Sequence, residues 1–230
     1  MKNIAVILAA GKGTRLGESL PKQYLEVAGK TVLEHSIEAF ERHPAIEEIC
    51  VVVAPDCCAK VEALCHANGY RKTRKIIAGG SERYESSVAA IRAYGADDEC
   101  NLIFHDAARP CVSAEVISNV VGALAEFSAA TAAVATTDTI LEATDKGVVA
   151  SIPPRARLRN VQTPQGFRLN AIRRAYEAGL ADPAFVTTDD CGVVARYCPD
   201  LPIRIVDGDR NNIKLTYSED LRTIQRLLSH

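Results

Sequence analysis

Short apolar runs alternate with amphipathic stretches along most of the chain. Two of the runs, at 4–8 and 49–54, are continuous rather than alternating, which indicates strands that are buried on both faces, and a third central strand is expected at 101–105. Shorter strands are expected at 75–78, 130–135 and 203–206. The stretches between them are typical of helices, at 31–42, 57–68, 82–94 and 114–127. This order predicts an α/β fold, a Rossmann-like and mostly parallel sheet with helices on both sides.

Polar residues before several apolar stretches predict where helices begin. Thr31 and Glu34 have the spacing of a capping box, and Ser113 precedes the helix that starts at residue 114. Ser218 is expected to cap the last helix. That helix has four apolar residues on one face, Leu221, Ile224, Leu227 and Leu228.

One region, 136–163, lacks a helical period and interrupts the alternation. Lys146 and Gly147 are typical of a hairpin turn between 139–143 and 148–152. We therefore expect an arm over 136–163 that projects from a single domain spanning 1–230. Because an isolated hairpin cannot bury both of its faces, a second subunit is its expected partner.

Composition narrows the class of protein. The 230 residues include 27 Lys and Arg against 29 Asp and Glu, a net charge of −2 that argues against binding nucleic acid through bulk charge. The longest apolar runs are too short to span a membrane, and no secretory signal follows Met1. None of the eight cysteines forms a Cys-x-x-Cys pair, so they are expected to be free thiols in a cytoplasmic, reducing compartment.

The turn after the first strand is the strongest local sign of chemistry. Gly11 and Gly13 allow backbone N–H groups to approach an anion, and Arg15 and Lys22 add positive charge. A dinucleotide-binding loop is disfavoured because Leu16 stands where its third glycine belongs, and no Walker loop is present. A polyphosphate site and an ordinary glycine turn with two solvated cations both remain open at this point.

Other polar groups follow later strands or precede later helices. Asp106 and Arg109 come after the strand at 101–105, so they are expected near the glycine loop, although a simple Asp–Arg turn is the alternative. His105 is interpreted as a packed turn residue rather than a base. Further candidates, each weak when taken alone, are Gly80, Arg83, Ser86, Thr188 and Lys214.

Taken in order, these motifs resemble one family of enzymes. They are Ala9-Ala10-Gly11-x-Gly13-x-Arg15, Pro21-Lys22-Gln23, Gly79-Gly80-x-x-Arg83-x-x-Ser86, His105-Asp106-Ala107-Ala108-Arg109-Pro110, Thr163-Pro164-Gln165 and Asn212-Ile213-Lys214. The chain is similar over nearly its whole length to the 2-C-methyl-D-erythritol 4-phosphate cytidylyltransferases. The resemblance implies a nucleotidyltransferase fold, CTP and a small sugar-alcohol phosphate as substrates, Mg²⁺ on the CTP phosphates with no protein metal site, and a homodimer with a shared active site.

The resemblance also implies a role for individual residues. Arg15, Lys22 and Lys214 are expected to be catalytic. CTP is expected to contact Ala9, Ala10, Gly11, Gly13, Arg15, Lys22, Gly80, Arg83, Ser86 and Asp106. The acceptor is expected to contact Asp106, Arg109, Thr188 and Lys214, together with Thr139 and Arg155 from the arm of the partner subunit.

Several alternatives stay open on the sequence. Arg157 and Arg159 lie close enough to Arg155 to take its place, and Asn211 replaces the acidic residue that usually precedes Asn-Ile-Lys in this family. A ribitol-5-phosphate cytidylyltransferase is the nearest rival activity. A nucleotide sensor without turnover is a second rival, and an NAD-dependent reductase is disfavoured by the glycine spacing.

Overall fold

A computed structural model describes residues 1–11, 21–95 and 99–229, and a seven-stranded sheet lies at its centre. The spatial order is β11-β7-β10-β6-β1-β4-β5. Every neighbouring pair is parallel except those made by β10, which is antiparallel to both β6 and β7. The strands are β1 (Lys2–Ala9), β4 (Glu48–Val53), β5 (Thr73–Ala78), β6 (Cys100–Asp106), β7 (Ala129–Ala135), β10 (Arg159–Arg168) and β11 (Ile203–Asp207). The predicted α/β class is confirmed.

Helices cover both faces of this sheet, and β1 shows why. Ile4 and Val6 belong to the apolar core on one face, while Ala5 and Ile7 belong to the core on the other. A strand with two buried faces needs the continuous apolar run seen in the sequence. The helices are α1 (Val32–Glu41), α2 (Cys58–Ala67), α3 (Arg83–Ala93), α4 (Ala114–Ala123), α5 (Leu169–Leu180), α6 (Asp190–Tyr197) and α7 (Ser218–Leu228).

The predicted helix starts are confirmed in two cases and wrong in one. Glu34 N–H donates to the Thr31 hydroxyl while the Glu34 carboxylate accepts from Thr31 N–H, and Ser113 accepts from Val116 N–H. Ser218, however, is the first residue of α7 rather than its cap. The Asp220 carboxylate instead accepts the N–H groups of residues 216 and 217, at 2.8 Å each. Asp220 thus anchors the backbone that leads into α7, whereas a capping serine would accept an N–H group from the first turn of the helix.

The segment 136–163 departs from the predicted arm at its end. A short hairpin is present, formed by β8 (Glu142–Ala143) and β9 (Val149–Ser151), with a left-handed Gly147 in its turn. Arg159 already pairs with Ala135, so residues 159–163 belong to the central sheet. This strand was missed because its buried side chains include Gln162, Thr163 and Gln165. Polar residues at core positions hide the alternation that identifies a strand.

The hairpin leaves an apolar surface uncovered. Five large side chains on it and beside it are between 43% and 61% exposed: Ile140, Leu141, Val148, Val149 and Ile152. An exposed apolar set of this kind is typical of a surface that contacts another molecule.

Two further features concern the cysteines and the lengths of the helices. All eight cysteines lie outside any disulfide, and Cys50, Cys65, Cys100, Cys191 and Cys198 are buried. Within 1–11, 21–95 and 99–229, no helix is long and apolar enough to cross a membrane. Two further short strands, β2 (Glu26–Val27) and β3 (Lys30–Thr31), form a separate ribbon that leads into α1.

Candidate active site

A cavity of about 460 Å³ opens where β1 and β6 end, at the carboxyl edge of the parallel strands. This is the edge at which open α/β sheets bind ligands. The wall combines the turn after β1, the start of α3, the end of β6 and the segment before α7. Ten residues that we predicted to be in the site line it: Ala9, Ala10, Gly11, Lys22, Gly80, Arg83, Ser86, Asp106, Thr188 and Lys214.

The remaining predicted site residues fall into two groups. Gly13 and Arg15 fall outside the described residues. Arg109 lines a neighbouring cavity of about 280 Å³ at the base of the hairpin, and its Nη1 donates to the Asn212 carbonyl at 2.7 Å. Thr139 is exposed, and Arg155 donates to the carbonyl of residue 137. Neither Thr139 nor Arg155 lines the main cavity of its own chain.

Asp106 is the charged centre of the cavity wall. Its Oδ1 lies 3.1 Å from Arg83 Nε, and its Oδ2 lies 2.6 Å from Lys214 Nζ. Burial alone raises the pKa of this carboxyl, but the positive charges of Arg83 and Lys214 outweigh burial and hold it well below its ordinary value. Asp106 is therefore ionised at all physiological pH values, and it fixes one cation from the start of α3 and another from near the chain end.

Lys22 also lines this cavity. A 3₁₀ turn, Lys22–Tyr24, carries it, and its Nζ donates to the Leu215 carbonyl at 2.8 Å. The next residue, Gln23, is buried, and its Nε2 donates to the carbonyls of Ala9 and Gly11 at 2.7 and 3.0 Å. Gln23 thus ties the lysine turn to the loop after β1, a positioning role that we did not assign from the sequence.

Two glycines before α3 allow close packing on this wall. A Cβ at Gly79 would lie 2.5 Å from Ser86 Oγ and 2.7 Å from the Ala10 side chain. A Cβ at Gly80 would lie 2.3 Å from the Glu85 side chain. The glycine pair is therefore needed so that the turn after β1 and the start of α3 can share one wall.

His105 supports the site from behind. It is completely buried, its Nε2 donates to the Arg109 carbonyl at 3.0 Å, and its Nδ1 accepts from the Thr163 hydroxyl at 3.1 Å. That hydroxyl in turn accepts Asp106 N–H. Burial lowers the pKa of His105 to about 4, so the ring is neutral at pH 7. His105 therefore positions the loop between Asp106 and Arg109, in agreement with its interpretation as a packed residue.

The described residues provide few ligands for a metal ion. They contain no group of three His, Cys, Asp or Glu side chains that could hold a metal. The described part of the cavity wall carries two carboxylates, Asp106 and Glu82, and Asp106 is already paired with two cations. The wall is suited to an anion with several negative charges, which it meets with lysine and arginine side chains and with glycine backbone.

A mostly parallel sheet with a glycine-lined cavity at its strand ends, walled in part by lysine and arginine side chains, is the arrangement of nucleotide-binding α/β proteins. A family model described as 2-C-methyl-D-erythritol 4-phosphate cytidylyltransferase matches residues 3–230. The chain belongs to this family, and it is a cytidylyltransferase.

Individual relatives agree with this assignment. The chain is 45% identical over 229 residues to the 2-C-methyl-D-erythritol 4-phosphate cytidylyltransferase of Thermobifida fusca, covering 97% of this chain and 92% of that protein. A crystal structure of 4-diphosphocytidyl-2C-methyl-D-erythritol synthase from Anaerococcus prevotii superposes with a TM-score of 0.87 at 29% identity, covering 100% of this chain and 96% of that one. A bifunctional ribulose 5-phosphate reductase/CDP-ribitol pyrophosphorylase of Haemophilus influenzae is 37% identical, covering 98% of this chain and 48% of that protein.

Proposed function

We propose that this chain transfers CMP from CTP to 2-C-methyl-D-erythritol 4-phosphate, a step of the non-mevalonate isoprenoid pathway. An oxygen of the acceptor phosphate bonds to the α-phosphorus of CTP, and the bond from that phosphorus to the bridging α,β oxygen breaks. Pyrophosphate leaves with the electron pair, and 4-diphosphocytidyl-2-C-methyl-D-erythritol is the product. Membership of the family over residues 3–230 is the observation that carries this proposal.

The cavity's charges suit this reaction. A phosphomonoester already carries between one and two negative charges at pH 7, so its oxygen attacks without a general base. The task left to the protein is to hold the two substrates in line and to offset the charge that builds up at the α-phosphorus. Lys22 supplies a cation for this purpose once it exchanges the Leu215 carbonyl for phosphate oxygens, and Arg15 is proposed to supply a second.

The acceptor is proposed to bind on the far side of Asp106. Lys214 and Thr188 line the cavity there, and the Lys214 ammonium is held at 2.6 Å by Asp106. Arg109 faces the adjoining space at the base of the hairpin. An acceptor that reached from Lys214 toward Arg109 would direct its phosphate to these two cations and its hydroxyls to the Asp106 carboxylate.

The nucleoside is proposed to bind at the start of α3. Gly80, Arg83 and Ser86 line the cavity there, beside Ala10 of the turn after β1. The guanidinium of Arg83 is proposed to present its plane and positive charge to the base and ribose there.

The active form is proposed to be a cytoplasmic homodimer. The exposed apolar side chains of the hairpin need a partner, and Thr139 and Arg155 do not line the cavity of their own chain. A second copy that received the hairpin would cover those apolar groups. It would also receive Thr139 and Arg155 as acceptor contacts.

Mg²⁺ is proposed to bind with the CTP phosphates. Two carboxylates on the described cavity wall do not form a cage for the ion, but they fit a hydrated Mg²⁺ that is held chiefly by substrate oxygens. When bound, the ion offsets phosphate charge and orients the triphosphate.

The proposal is tested by a comparison of acceptors. Purified protein is mixed with CTP, Mg²⁺ and either 2-C-methyl-D-erythritol 4-phosphate or ribitol 5-phosphate, and pyrophosphate release is followed. We expect release with the first acceptor at a kcat/KM at least about tenfold above that with the second. The Haemophilus relative favours ribitol 5-phosphate as the second candidate, and the reverse preference would establish it. CTP binding without turnover on either acceptor would instead indicate a sensor.

A further inference from the structure

A second carboxylate lies behind Arg83, outside the predicted site. Asp190, the first residue of α6, is completely buried, and its Oδ2 lies 2.8 Å from Arg83 Nη1. Its Oδ1 accepts the Tyr176 hydroxyl at 2.7 Å. A buried carboxylate is costly unless it is paired and hydrogen-bonded, and this one has both kinds of partner.

Asp190 is not needed to start its own helix. The N-cap of α6 is Asp189, whose Oδ1 accepts Gly192 N–H at 2.8 Å and whose Oδ2 accepts from Gln165 Nε2 at 2.7 Å. Asp189 therefore performs the helix-capping task. The side chain of Asp190 turns instead toward Arg83 on the neighbouring helix α3, so its contacts concern the cavity wall.

Arg83 is held by two carboxylates at once. Its Nε donates to Asp106 at 3.1 Å while its Nη1 forms an ion pair with Asp190, so two of the three guanidinium nitrogens contact a carboxylate. Its Nη2 is buried and has no hydrogen-bond partner within the described chain. Arg83 nevertheless lines the cavity. A planar guanidinium that is held on two sides has one orientation, so it presents a preorganised plane and positive charge to a ligand in the cavity.

Opposite charges alternate across this wall, in the order Lys214, Asp106, Arg83, Asp190. With Asp190 present, Arg83 has its own counter-ion, and Asp106 can also serve Lys214. Without that charge, Arg83 and Lys214 would compete for the one remaining carboxylate. The loss of Asp190 should therefore displace Arg83 directly and disturb Lys214 only through Asp106.

We propose that Asp190, oriented by Tyr176, is a positioning residue that sets the guanidinium of Arg83 for the nucleoside end of CTP. This inference rests on the proposed function, which assigns the start of α3 to the nucleotide. It gives a reason for a buried acidic residue that touches no substrate in the proposed reaction.

The test is a double-mutant cycle on CTP. Pyrophosphate release is measured for wild type, Asp190→Asn, Arg83→Ala and the double variant. We expect Asp190→Asn to raise KM for CTP about tenfold or more with a smaller change in kcat. Because Asp190 acts through Arg83, the double variant should match Arg83→Ala within about twofold. Losses that multiply in the double variant, or an unchanged KM in Asp190→Asn, would overturn the proposal.

Asp182→Asn is the matched control. Asp182 also accepts a tyrosine hydroxyl, from Tyr197 at 2.8 Å, and pairs with an arginine, Arg196 at 3.0 Å, and it too contacts α6. It does not line the cavity. If Asp190 matters only for the stability of α6, both variants should lower the thermal unfolding midpoint and neither should raise KM for CTP.

Two further measurements keep the result decisive. Should Asp190→Asn fail to fold, Tyr176→Phe retains the charge and removes one hydrogen bond, and it should raise KM for CTP by about twofold to fivefold. An unchanged KM in a folded Tyr176→Phe would then contradict the proposal. If wild type shows no turnover with either acceptor, calorimetric titration with CTP still decides, because weaker binding by the variants supports the role of Asp190 while the proposed reaction fails.

Discussion

At the scale of single residues, Lys22 already lines the cavity in which it is proposed to bind the triphosphate. Its ammonium rests on the Leu215 carbonyl, 193 positions away in sequence. A neutral carbonyl is a weaker partner than a phosphate, so the lysine can change partner when a triphosphate arrives. The charge is most valuable where negative charge accumulates, during the attack at the α-phosphorus.

Lys22→Ala should therefore lower kcat about a hundredfold or more while the Kd for CTP changes by less than about tenfold. Steady-state kinetics and calorimetry measure the two quantities. Lys60→Ala is the control, since Lys60 lies over the Tyr24 ring and does not line the cavity. Equal losses in kcat and CTP affinity would assign Lys22 to plain binding.

His105 gives a prediction about stability and pH. Its pKa is about 4 in the folded protein and about 6.5 when unfolded, so below pH 6.5 the unfolded chain binds the extra proton first. Stability is therefore retained above pH 6.5 and falls by about 3 kcal/mol as the pH drops to 4.

Urea unfolding at several pH values measures this contribution. His105→Gln should unfold at lower urea concentration at pH 7, because buried hydrogen bonds are lost. Its stability should fall less steeply between pH 6.5 and 4 than that of wild type. Parallel curves for the two proteins would show that His105 does not titrate in this way. The buried His43, whose pKa is also lowered by burial, is present in both proteins and cancels in the comparison.

At the scale of elements, the hairpin formed by β8 and β9 is exposed along its whole length in its own chain. Arg155 follows it in a 3₁₀ turn and is exposed, with a backbone carbonyl as its partner. An arginine so placed is available to a neighbouring molecule. The proposed dimer assigns it to the acceptor of the other subunit.

Arg155→Ala should raise KM for the acceptor at least about tenfold and leave CTP binding nearly unchanged. Mixed with a Lys22→Ala subunit, it should regain activity, because each heterodimer then has one site with both Lys22 and the partner's Arg155. Arg157→Ala and Arg159→Ala serve as controls. Complementation by one of those variants in place of Arg155→Ala would move the role to that arginine.

The elements also show what could be predicted from sequence. Strand β1 and helix α1 could be predicted because their signals, a continuous apolar run and a capping box, are local in the sequence. Strand β10 gave no such signal, because Gln162 and Gln165 are satisfied by distant groups at 209, 189 and 191. The same reason explains why Gln23 and Asp190 were missed. Their partners are set by tertiary contacts that no spacing along the chain records.

At the scale of the whole molecule, the proposed homodimer makes activity depend on the apolar surface of the hairpin. Leu141 is 51% exposed on the hairpin, and Ile205 is 55% exposed on the edge strand β11. Leu141→Lys should give a monomer that binds CTP and has lost most turnover, whereas Ile205→Lys should remain dimeric and active. Light scattering after size exclusion, together with pyrophosphate release, measures both. A fully active Leu141→Lys monomer would exclude a shared site.

The reversed strand β10 has one more consequence. It is the only bridge, in the described sheet, between the four strands β5, β4, β1 and β6 and the pair β7 and β11. The exposed turn at Gly147 precedes it. A break in that turn would leave Lys22, Arg83 and Asp106 on one polypeptide and Asp190 and Lys214 on another. If the two fragments reassociate by pairing β10 with β6 and β7, they rebuild the cavity. Recovered enzyme turnover would then report that the two fragments have met, as in a split reporter.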